Sequence, residues 1–343
     1  MRRGGTMGLD NAGKVRQGER GTMARRNRFG FGVAAAILAA GATASGDGGA
    51  ISFSAEADLF EPGQNAIVAW NGTREVMILS IDVRASVPTK ALEIVPLPSE
   101  PTLEAGTHLS FLYADYLVDR AIEQLRPRSD ERQRLYAAGD DLGAEQNQAV
   151  AVTTHERIGP HDITAIRVDD YTGLAAWLGE FFRRQGVERE LPAALPGIVG
   201  HYMRDGVRHF ALDVMDLVPD VRTVDPIVYS FDSDRLWYPL HISSLYKGET
   251  VINLVTITSQ EIPADRMPEG VKRFEYVVQE RGKIDDEVRS EERHVLPAIE
   301  LVPARQERLG EAVRALFDGG NAWMQVWKYE GDLAVDTDVS IGM

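Results

Sequence analysis

The stretch from Ala66 to Pro101 restricts the fold of this chain more than any other part of it. At its centre, Asn71-Gly72 joins two residues that tolerate positive φ, which favours a two-residue type I′ turn between antiparallel strands. The arm after the turn alternates with the period of a strand. One of its faces carries only apolar residues: Met77, Leu79, Ile81 and Val83. We therefore predict a hairpin whose second arm has one face in the core and the other turned outward.

The arm before the turn, AIVAW, is apolar on both faces, which is typical of a strand covered on both sides. A further strand is predicted over Ala91 to Val95, with Pro96, Pro98 and Pro101 ending it because proline lacks an amide donor. The same arm ends in Asn71-Gly72-Thr73, which also matches an N-glycosylation acceptor, although a tight turn explains the motif equally well.

Amphipathic helices alternate with short strands in the rest of the chain. Apolar residues recur with helical spacing over residues 108–126, 172–186, 195–203 and 305–317. Apolar runs separated by short polar turns predict an antiparallel meander over residues 226–231, 235–244 and 251–259. Because strands and helices do not alternate regularly, we predict an α+β fold of mostly antiparallel sheets with three or four packed amphipathic helices.

The N-terminal residues have the pattern of an export signal. From Met23 a basic segment leads into an apolar segment and an Ala42-x-Ala44 ending, so cleavage is predicted near Ala44 and translation from Met23. Because of the Arg25-Arg26 pair, export by the twin-arginine route is an alternative to export by the Sec route. The alternative is that the segment is not cleaved and anchors the protein in the membrane. However, it is shorter than the roughly 20 residues that are needed to cross a bilayer. We expect a secreted protein, periplasmic or extracellular, with no membrane span in the mature chain.

Composition limits the partners and the chemistry of the mature chain. Removing residues 1–44 leaves 29 basic and 50 acidic side chains, a net charge of about −21, which disfavours nucleic acid as a partner. The chain has no cysteine, so disulfides, zinc–thiolate sites and a cysteine nucleophile are excluded. The remaining residues 45–343 are predicted to form a single large α+β domain, with 260–343 a candidate C-terminal elaboration.

The best candidate for a metal site is a short loop that contains two histidines and two carboxylates. His155-Glu156 and His161-Asp162 flank Gly159-Pro160, which could fold the two pairs together around Zn²⁺. This loop carries the alternative hypothesis, a metal-dependent or serine hydrolase that combines Ser99 with His161 and Asp162. No motif for catalysis or for phosphate binding accompanies it, and ordinary loop histidines explain the pattern as well.

Two acidic doublets are candidates for Ca²⁺, because hard oxygen ligands suit that ion. They are Asp232-x-Asp234 and Asp336-x-Asp338, the latter close to Asp332, and both lack the spacing of an EF-hand loop. In a chain this acidic, solvated turns account for such doublets too. No cofactor is therefore predicted beyond these Ca²⁺ and Zn²⁺ candidates.

Three aromatic residues near one predicted turn are candidate binding residues. Trp237, Tyr238 and Tyr246 could present an exposed ring platform to a sugar or a protein partner, with core packing as the competing interpretation. We therefore expect a non-catalytic binding or structural module at the cell exterior, with its partner unknown.

Four segments together resemble a known family, the domain of unknown function 2330, which comprises exported bacterial and archaeal proteins. The segments are WNGTREVMILSIDV, ALEIVPLPSEP, HDITAIRVDDYTGLAAWLGEFF and RLWYPLHISS, within residues 64–259. The resemblance implies export and attachment to the cell surface, and it supplies no accepted activity and no catalytic residues. This chain lacks the N-terminal cysteines and the C-terminal membrane helix associated with many members.

Overall fold

The computed structural model describes residues 49–125, 156–158, 161–246, 248–281, 288–332 and 336–342. The helices are α1 His108–Leu125, α2 Tyr171–Arg184, α3 Leu195–Arg204, α4 Pro303–Leu309 and α5 Glu311–Leu316, with short 3₁₀ helices at His241–Leu245 and Ala264–Arg266. The strands are β1 Ala50–Ser52, β2 Leu59–Trp70, β3 Arg74–Ala85, β4 Thr89–Leu97, β5 Thr102–Ala105, β6 Glu156–Ile158, β7 His161–Arg167, β8 His209–Leu217, β9 Arg222–Thr223, β10 Ile227–Asp232, β11 Leu236–Tyr238, β12 Glu249–Thr258, β13 Lys272–Arg273, β14 Glu275–Arg281, β15 Val288–Val295, β16 Ile299–Leu301, β17 Ala322–Asp332 and β18 Val339–Ile341.

Two large sheets dominate the described part of the chain. The larger sheet has the strand order β13-β17-β12-β2-β3-β10-β5, with β16 paired to β17 and β9 to β3. The smaller sheet has the order β1-β4-β8-β7-β6, and the pairs β11-β18 and β14-β15 form two separate ribbons. Together with the helices, this arrangement confirms the predicted α+β class.

Helices cover the outer faces of both sheets, so the fold has four layers in the order helix, sheet, sheet, helix. Alternate residues of β2 face opposite ways: Ile67 packs in a cluster with α1, α4 and α5, whereas Val68 packs in a cluster with the smaller sheet. Helices α2 and α3 bury Phe182 and Val199 in that second cluster. Each large apolar side chain buried in this way stabilises the fold by roughly 1.5–3 kcal/mol.

The β2–β3 hairpin forms as predicted, but its turn is centred one residue later, on Gly72-Thr73, because the Asn71 N–H donates to the Arg74 carbonyl oxygen at 3.2 Å. Of the residues between the strands only Gly72 has positive φ, at 104°, whereas a type I′ turn requires positive φ at both central positions. The Asn71 side chain instead accepts hydrogen bonds from the backbone N–H groups of Thr73 and Arg74. The type I′ prediction is therefore wrong, because the asparagine side chain closes the turn.

Burial of β3 on both faces also differs from the prediction. Val76 and Ile78 lie on the face that was expected to turn outward, yet both pack against the cluster of α1, α4 and α5. The two-sided burial of β2 is confirmed, since β2 lies inside the sheet between β3 and β12. Because β2 and β12 run parallel, the larger sheet is mixed and not a simple antiparallel meander.

Three predicted boundaries are wrong for local reasons. Strand β4 continues through Pro96, which pairs with Phe210 of β8. The strand predicted over residues 235–244 is only three residues long in β11, because the chain then turns into a 3₁₀ helix. The helix predicted over residues 305–317 is divided at Gly310, whose φ of 149° is incompatible with a helix.

Several predictions fall on residues outside the described ranges. They are the basic and apolar signal pattern that begins at Met23, the cleavage near Ala44 and His155 of the candidate metal loop. No helix among the described residues combines the length and the apolar character needed to cross a membrane.

Candidate functional site

The main polar site of the described structure lies between the two sheets. A β-bulge in β2 shifts the register between Phe60 and Gly63, so Glu61 and Pro62 fall outside the regular pairing with β3. Bulges commonly redirect a side chain. Here Glu61 is buried and lines a cavity between the sheets.

Strands of the smaller sheet supply two further carboxyl groups. Glu93 of β4 is paired directly with Asp213 of β8, so the two side chains share a face of the sheet. Asp213 is also paired with Ile163 of β7, which is two residues from His161. Neighbouring strands of the smaller sheet thus place the three ionisable side chains of Glu93, Asp213 and His161 close together.

His161 is held on both sides of its imidazole ring. Its Nδ1 is hydrogen-bonded to Asp213 Oδ2, and its Nε2 lies 3.0 Å from the carbonyl oxygen of Asp225. The other carboxylate oxygen of Asp213 accepts a hydrogen bond from the backbone N–H of Asp162 at 3.1 Å. Burial lowers the pKa of His161, but the bond to Asp213 and the nearby Glu93 more than offset this effect and raise it overall. The pair is therefore a buried ion pair.

The cavity next to this pair has a volume of about 20 Å³, enough for one water molecule or an ion of similar size. Its polar wall is formed by Glu61, Gln64, Glu93, Tyr238, Ser243 and Tyr246. Some of these groups satisfy one another, since Gln64 donates to Ser243 Oγ at 2.7 Å and accepts from the Tyr238 hydroxyl. The Oε2 of Glu61 and the hydroxyl of Tyr246 have no hydrogen-bond partner in the structure.

The carboxyl groups of the cavity are protonated more readily than free carboxyl groups. Burial and the neighbouring Asp213 raise the pKa of Glu93 to about 8, against a smaller opposing effect of His161. Burial and the nearby Glu93 raise the pKa of Glu61 well above its usual value. Burial also raises the pKa values of Tyr238 and Tyr246, and the two glutamates add to this effect. With a pKa of about 8, Glu93 therefore retains a proton at neutral pH, where a free glutamate is ionised.

A C-terminal segment fixes one wall of the cavity. Asp338 Oδ1 accepts hydrogen bonds from the Tyr202 hydroxyl at 3.0 Å and from the backbone N–H of His241 at 2.8 Å. Tyr202 accepts in turn from the backbone N–H of Ile242. His241 begins the 3₁₀ helix that carries Ser243 to the cavity, so Asp338 positions this helix from outside.

The predicted metal loop is only partly within the described structure. His155 lies outside it, and for Glu156 only the backbone is described, paired with Ile163. His161 is buried against Asp213, and Asp162 follows it in β7. Within the described residues, no three His, Asp or Glu side chains are grouped so as to hold a metal ion.

The proposed serine triad does not form among the described residues. The Ser99 hydroxyl donates to the carbonyl oxygen of Asp232 at 2.8 Å, while the ring nitrogens of His161 bond to Asp213 and Asp225. Neither ring nitrogen of His161 is therefore available to activate Ser99.

The prediction that three aromatic rings form an exposed surface platform is wrong. Trp237, Tyr238 and Tyr246 are 1%, 1% and 4% exposed, because the β11 strand and the adjoining 3₁₀ helix pack into the core. The Trp237 indole donates to the carbonyl oxygen of Pro96 at 3.1 Å. Tyr238 and Tyr246 line the internal cavity, so two of the three candidate residues lie at a polar site after all.

The acidic doublets have different environments. Asp232 is the last residue of β10 and Asp234 lies in the bend after it. Both are exposed, and Asp232 Oδ1 is 3.6 Å from a guanidinium nitrogen of Arg74. Asp336 is exposed, whereas Asp338 faces inward and holds Tyr202. Composition alone did not separate the buried member of a doublet from the exposed one.

Sequence reasoning missed Glu61, Glu93 and Asp213. The available signal was an acidic residue inside an apolar strand: Glu93 stands between Leu92 and Ile94, and Asp213 between Leu212 and Val214. In a sheet covered on both faces, such a residue must be buried or partly buried whichever way it points. Acidic residues at such positions carry raised pKa values and mark candidate sites.

Comparisons with solved structures find only distant similarity. The crystal structure of baculovirus P35 has 9% identity and a TM-score of 0.38, covering 85% of this chain and 99% of that one. A mutated baculovirus P35 after caspase cleavage has 7% identity and a TM-score of 0.38, covering 82% and 99%. The caspase-8/P35 complex has 8% identity and a TM-score of 0.35, covering 82% and 96%. No curated protein matches the chain.

The family comparison agrees with the resemblance carried by the hairpin, the Pro-x-Pro segment and the α2 sequence. A single family model matches residues 42–282, which includes β1 to β13 and the whole inter-sheet cavity. The chain therefore belongs to the family described as uncharacterized protein conserved in bacteria (DUF2330).

Proposed function

We propose that this protein acts outside the cytoplasm as a non-catalytic binding module and that the inter-sheet cavity is its binding site. The observation that carries the proposal is a pair of buried polar atoms without a hydrogen-bond partner among the described residues, Glu61 Oε2 and the Tyr246 hydroxyl, in two side chains that line the cavity. An unsatisfied buried polar group costs about 1–3 kcal/mol, and a bound polar species removes that cost. The volume limits the ligand to one ion or molecule about the size of water.

The environment of His161 disfavours the alternative, a hydrolase that uses the loop from His155 to Asp162. A general base or metal ligand needs a ring nitrogen that can reach the substrate or the metal. Both ring nitrogens of His161 have protein partners, and the side chain is almost completely buried. A structural role for this histidine explains the arrangement without catalysis.

The exterior location is proposed from the signal-like pattern that ends at Ala44. Expression of the full chain in a bacterial host, followed by N-terminal sequencing of the exported fraction, tests it. We expect the mature protein to begin near Ser45. A chain that stays in the cytoplasm and begins at Met1 or Met23 would contradict it.

The binding role is tested by thermal unfolding of the purified protein against a panel of ions and small polar molecules. We expect at least one of them to stabilise the wild type and to lose its effect in Tyr246→Phe, which removes only the unpartnered hydroxyl. In parallel, ester, peptide, phosphate and glycoside substrates should show no turnover that depends on His161. Turnover abolished by His161→Ala would favour the hydrolase.

A further inference from the structure

Among the described residues, the charged groups that act on Glu61 include no cation. The charged neighbours that act on this carboxyl group are Glu93 and Asp82, and both raise its pKa. Among the described residues, His161 is the one cation that acts on Glu93, and it is already paired with Asp213. Two carboxyl groups therefore share a cavity without a positive partner of their own.

Each polar residue that lines this cavity carries at least one oxygen atom. The carboxyl groups of Glu61 and Glu93 are joined by the hydroxyls of Ser243 and Tyr246 and by the amide of Gln64. Hard divalent cations prefer carboxylate, amide and hydroxyl oxygens to nitrogen, and calcium accepts flexible geometry with several neutral ligands. Two carboxylates match the double charge of such an ion.

Tyr246 supplies an observation that is independent of the acidic residues. Its side chain is 4% exposed and belongs to the lining of the cavity, and its hydroxyl has no hydrogen-bond partner among the described residues. The Gln64–Tyr238 and Gln64–Ser243 hydrogen bonds hold three neighbouring wall residues in place. These bonds preorganise one wall of the site.

We infer that the inter-sheet cavity binds a single hard divalent cation of calcium's size, with the carboxylates of Glu61 and Glu93 as its charged ligands. This inference rests on the proposed function, because it names the ligand of the same cavity. Bound calcium joins β2 of one sheet to β4 of the other and stabilises the contact between the layers.

The experiment is calorimetric titration of CaCl₂ into the chelator-treated full chain at mildly alkaline pH, with thermal unfolding as a second readout. We expect one calcium per chain, a higher unfolding temperature, and a weaker response to MgCl₂ because magnesium is smaller and dehydrates reluctantly. NaCl at matched ionic strength should have no comparable effect.

Three isosteric variants assign the response to this cavity. Glu61→Gln and Glu93→Gln each remove one charged ligand and should weaken calcium binding by about tenfold or more. Glu75→Gln is the matched control, because Glu75 is also buried with an unpartnered oxygen but does not line the cavity. It should bind calcium as the wild type does, and near-ultraviolet circular dichroism should show that all three variants are folded.

Any of three results would overturn the inference: no calcium response in the wild type, an equal response to sodium or magnesium, or unchanged affinity in folded Glu61→Gln. If calcium fails while another small species stabilises the wild type and not Tyr246→Phe, the binding function stands and only the ligand class is wrong. If no species stabilises the wild type, both the inference and the binding function fail.

Discussion

Glu93 and Asp213 are directly paired across β4 and β8, so two carboxyl groups share the inner face of the smaller sheet. Their environments differ, because Asp213 is hydrogen-bonded to His161 while Glu93 faces the cavity. Like charges placed side by side cannot both ionise at low cost. Asp213 therefore serves as the partner of the histidine, and Glu93 is the group that retains a proton.

The stability of the calcium-free protein should fall as pH rises between about 4.5 and 8. Burial and Asp213 raise the pKa of Glu93 to about 8 in the folded state, so the folded chain holds a proton there that the unfolded chain has released. Each pH unit in this window costs up to about 1.4 kcal/mol, and above the folded pKa the dependence disappears.

Urea unfolding at a series of pH values, compared between the wild type and Glu93→Gln, measures this contribution. The variant should show a shallower loss of stability across the window, whereas Glu249→Gln, at an exposed strand end, should follow the wild type. Parallel curves for wild type and Glu93→Gln would show that Glu93 does not titrate as described.

His161 and Asp213 should be strongly coupled in stability. Removing one member of a buried ion pair leaves the other uncompensated, so His161→Ala and Asp213→Ala should each cost about 3 kcal/mol or more in the free energy of unfolding. The double variant should lose clearly less free energy of unfolding than the sum of the losses in the two single variants. His294→Ala, on a largely exposed pair with Glu292, serves as the control. Additive effects of the two core substitutions would contradict the pairing.

Asp338 should stabilise the fold far more than its near neighbour Asp336. Asp338→Ala removes the acceptor of two hydrogen bonds, from Tyr202 and from the backbone of His241, and should cost about 1–3 kcal/mol. Asp336→Ala changes an exposed side chain and should stay within about 0.5 kcal/mol of the wild type. Equal unfolding midpoints for the two variants in urea would refute the positioning role of Asp338.

Two glycine-to-alanine substitutions should have opposite signs. Gly310 joins α4 to α5 with a φ of 149°, which alanine adopts only under strain, so Gly310→Ala should destabilise the protein by about 1–3 kcal/mol. Gly179 lies within α2 with open space around it, and Gly179→Ala should stabilise the protein by up to about 1 kcal/mol. Thermal unfolding of both variants measures the difference. A gain in stability for Gly310→Ala would contradict the observed break between the helices.

Local pattern was sufficient to predict most elements of the fold. The apolar spacing of residues 108–126 and 172–186 corresponds to α1 and α2, and the alternation after Asn71-Gly72 corresponds to β3. These signals depend on which residues share one face of a single element, which the sequence alone contains.

Pairing between distant strands could not be predicted in the same way. The parallel contact of β2 with β12 joins segments that are far apart in the chain, and no local period specifies it. The bulge at Glu61 likewise depends on the register between β2 and β3. Because both sheets are covered on two sides, apolar alternation also did not show which face of β8 would carry Asp213 inward.

The sequence signals for a site, which are histidines and neighbouring aromatic residues, indicate only some members of this candidate site. His161 was identified, but its partner Asp213 comes from another strand, 52 residues further along the chain. Tyr238 and Tyr246 were identified for an exposed role and are in fact buried. A polar site between two sheets is formed by tertiary contacts, so its members carry no common spacing in the sequence.

The most direct test is a high-resolution crystal structure of the mature protein grown with calcium at mildly alkaline pH. We predict one density peak in the inter-sheet cavity, about 2.3–2.6 Å from carboxylate oxygens of Glu61 and Glu93, with the Tyr246 hydroxyl directed toward it. An empty cavity, or one closed by side chains with Glu61 turned away from Glu93, would contradict the assignment of this cavity as a calcium site.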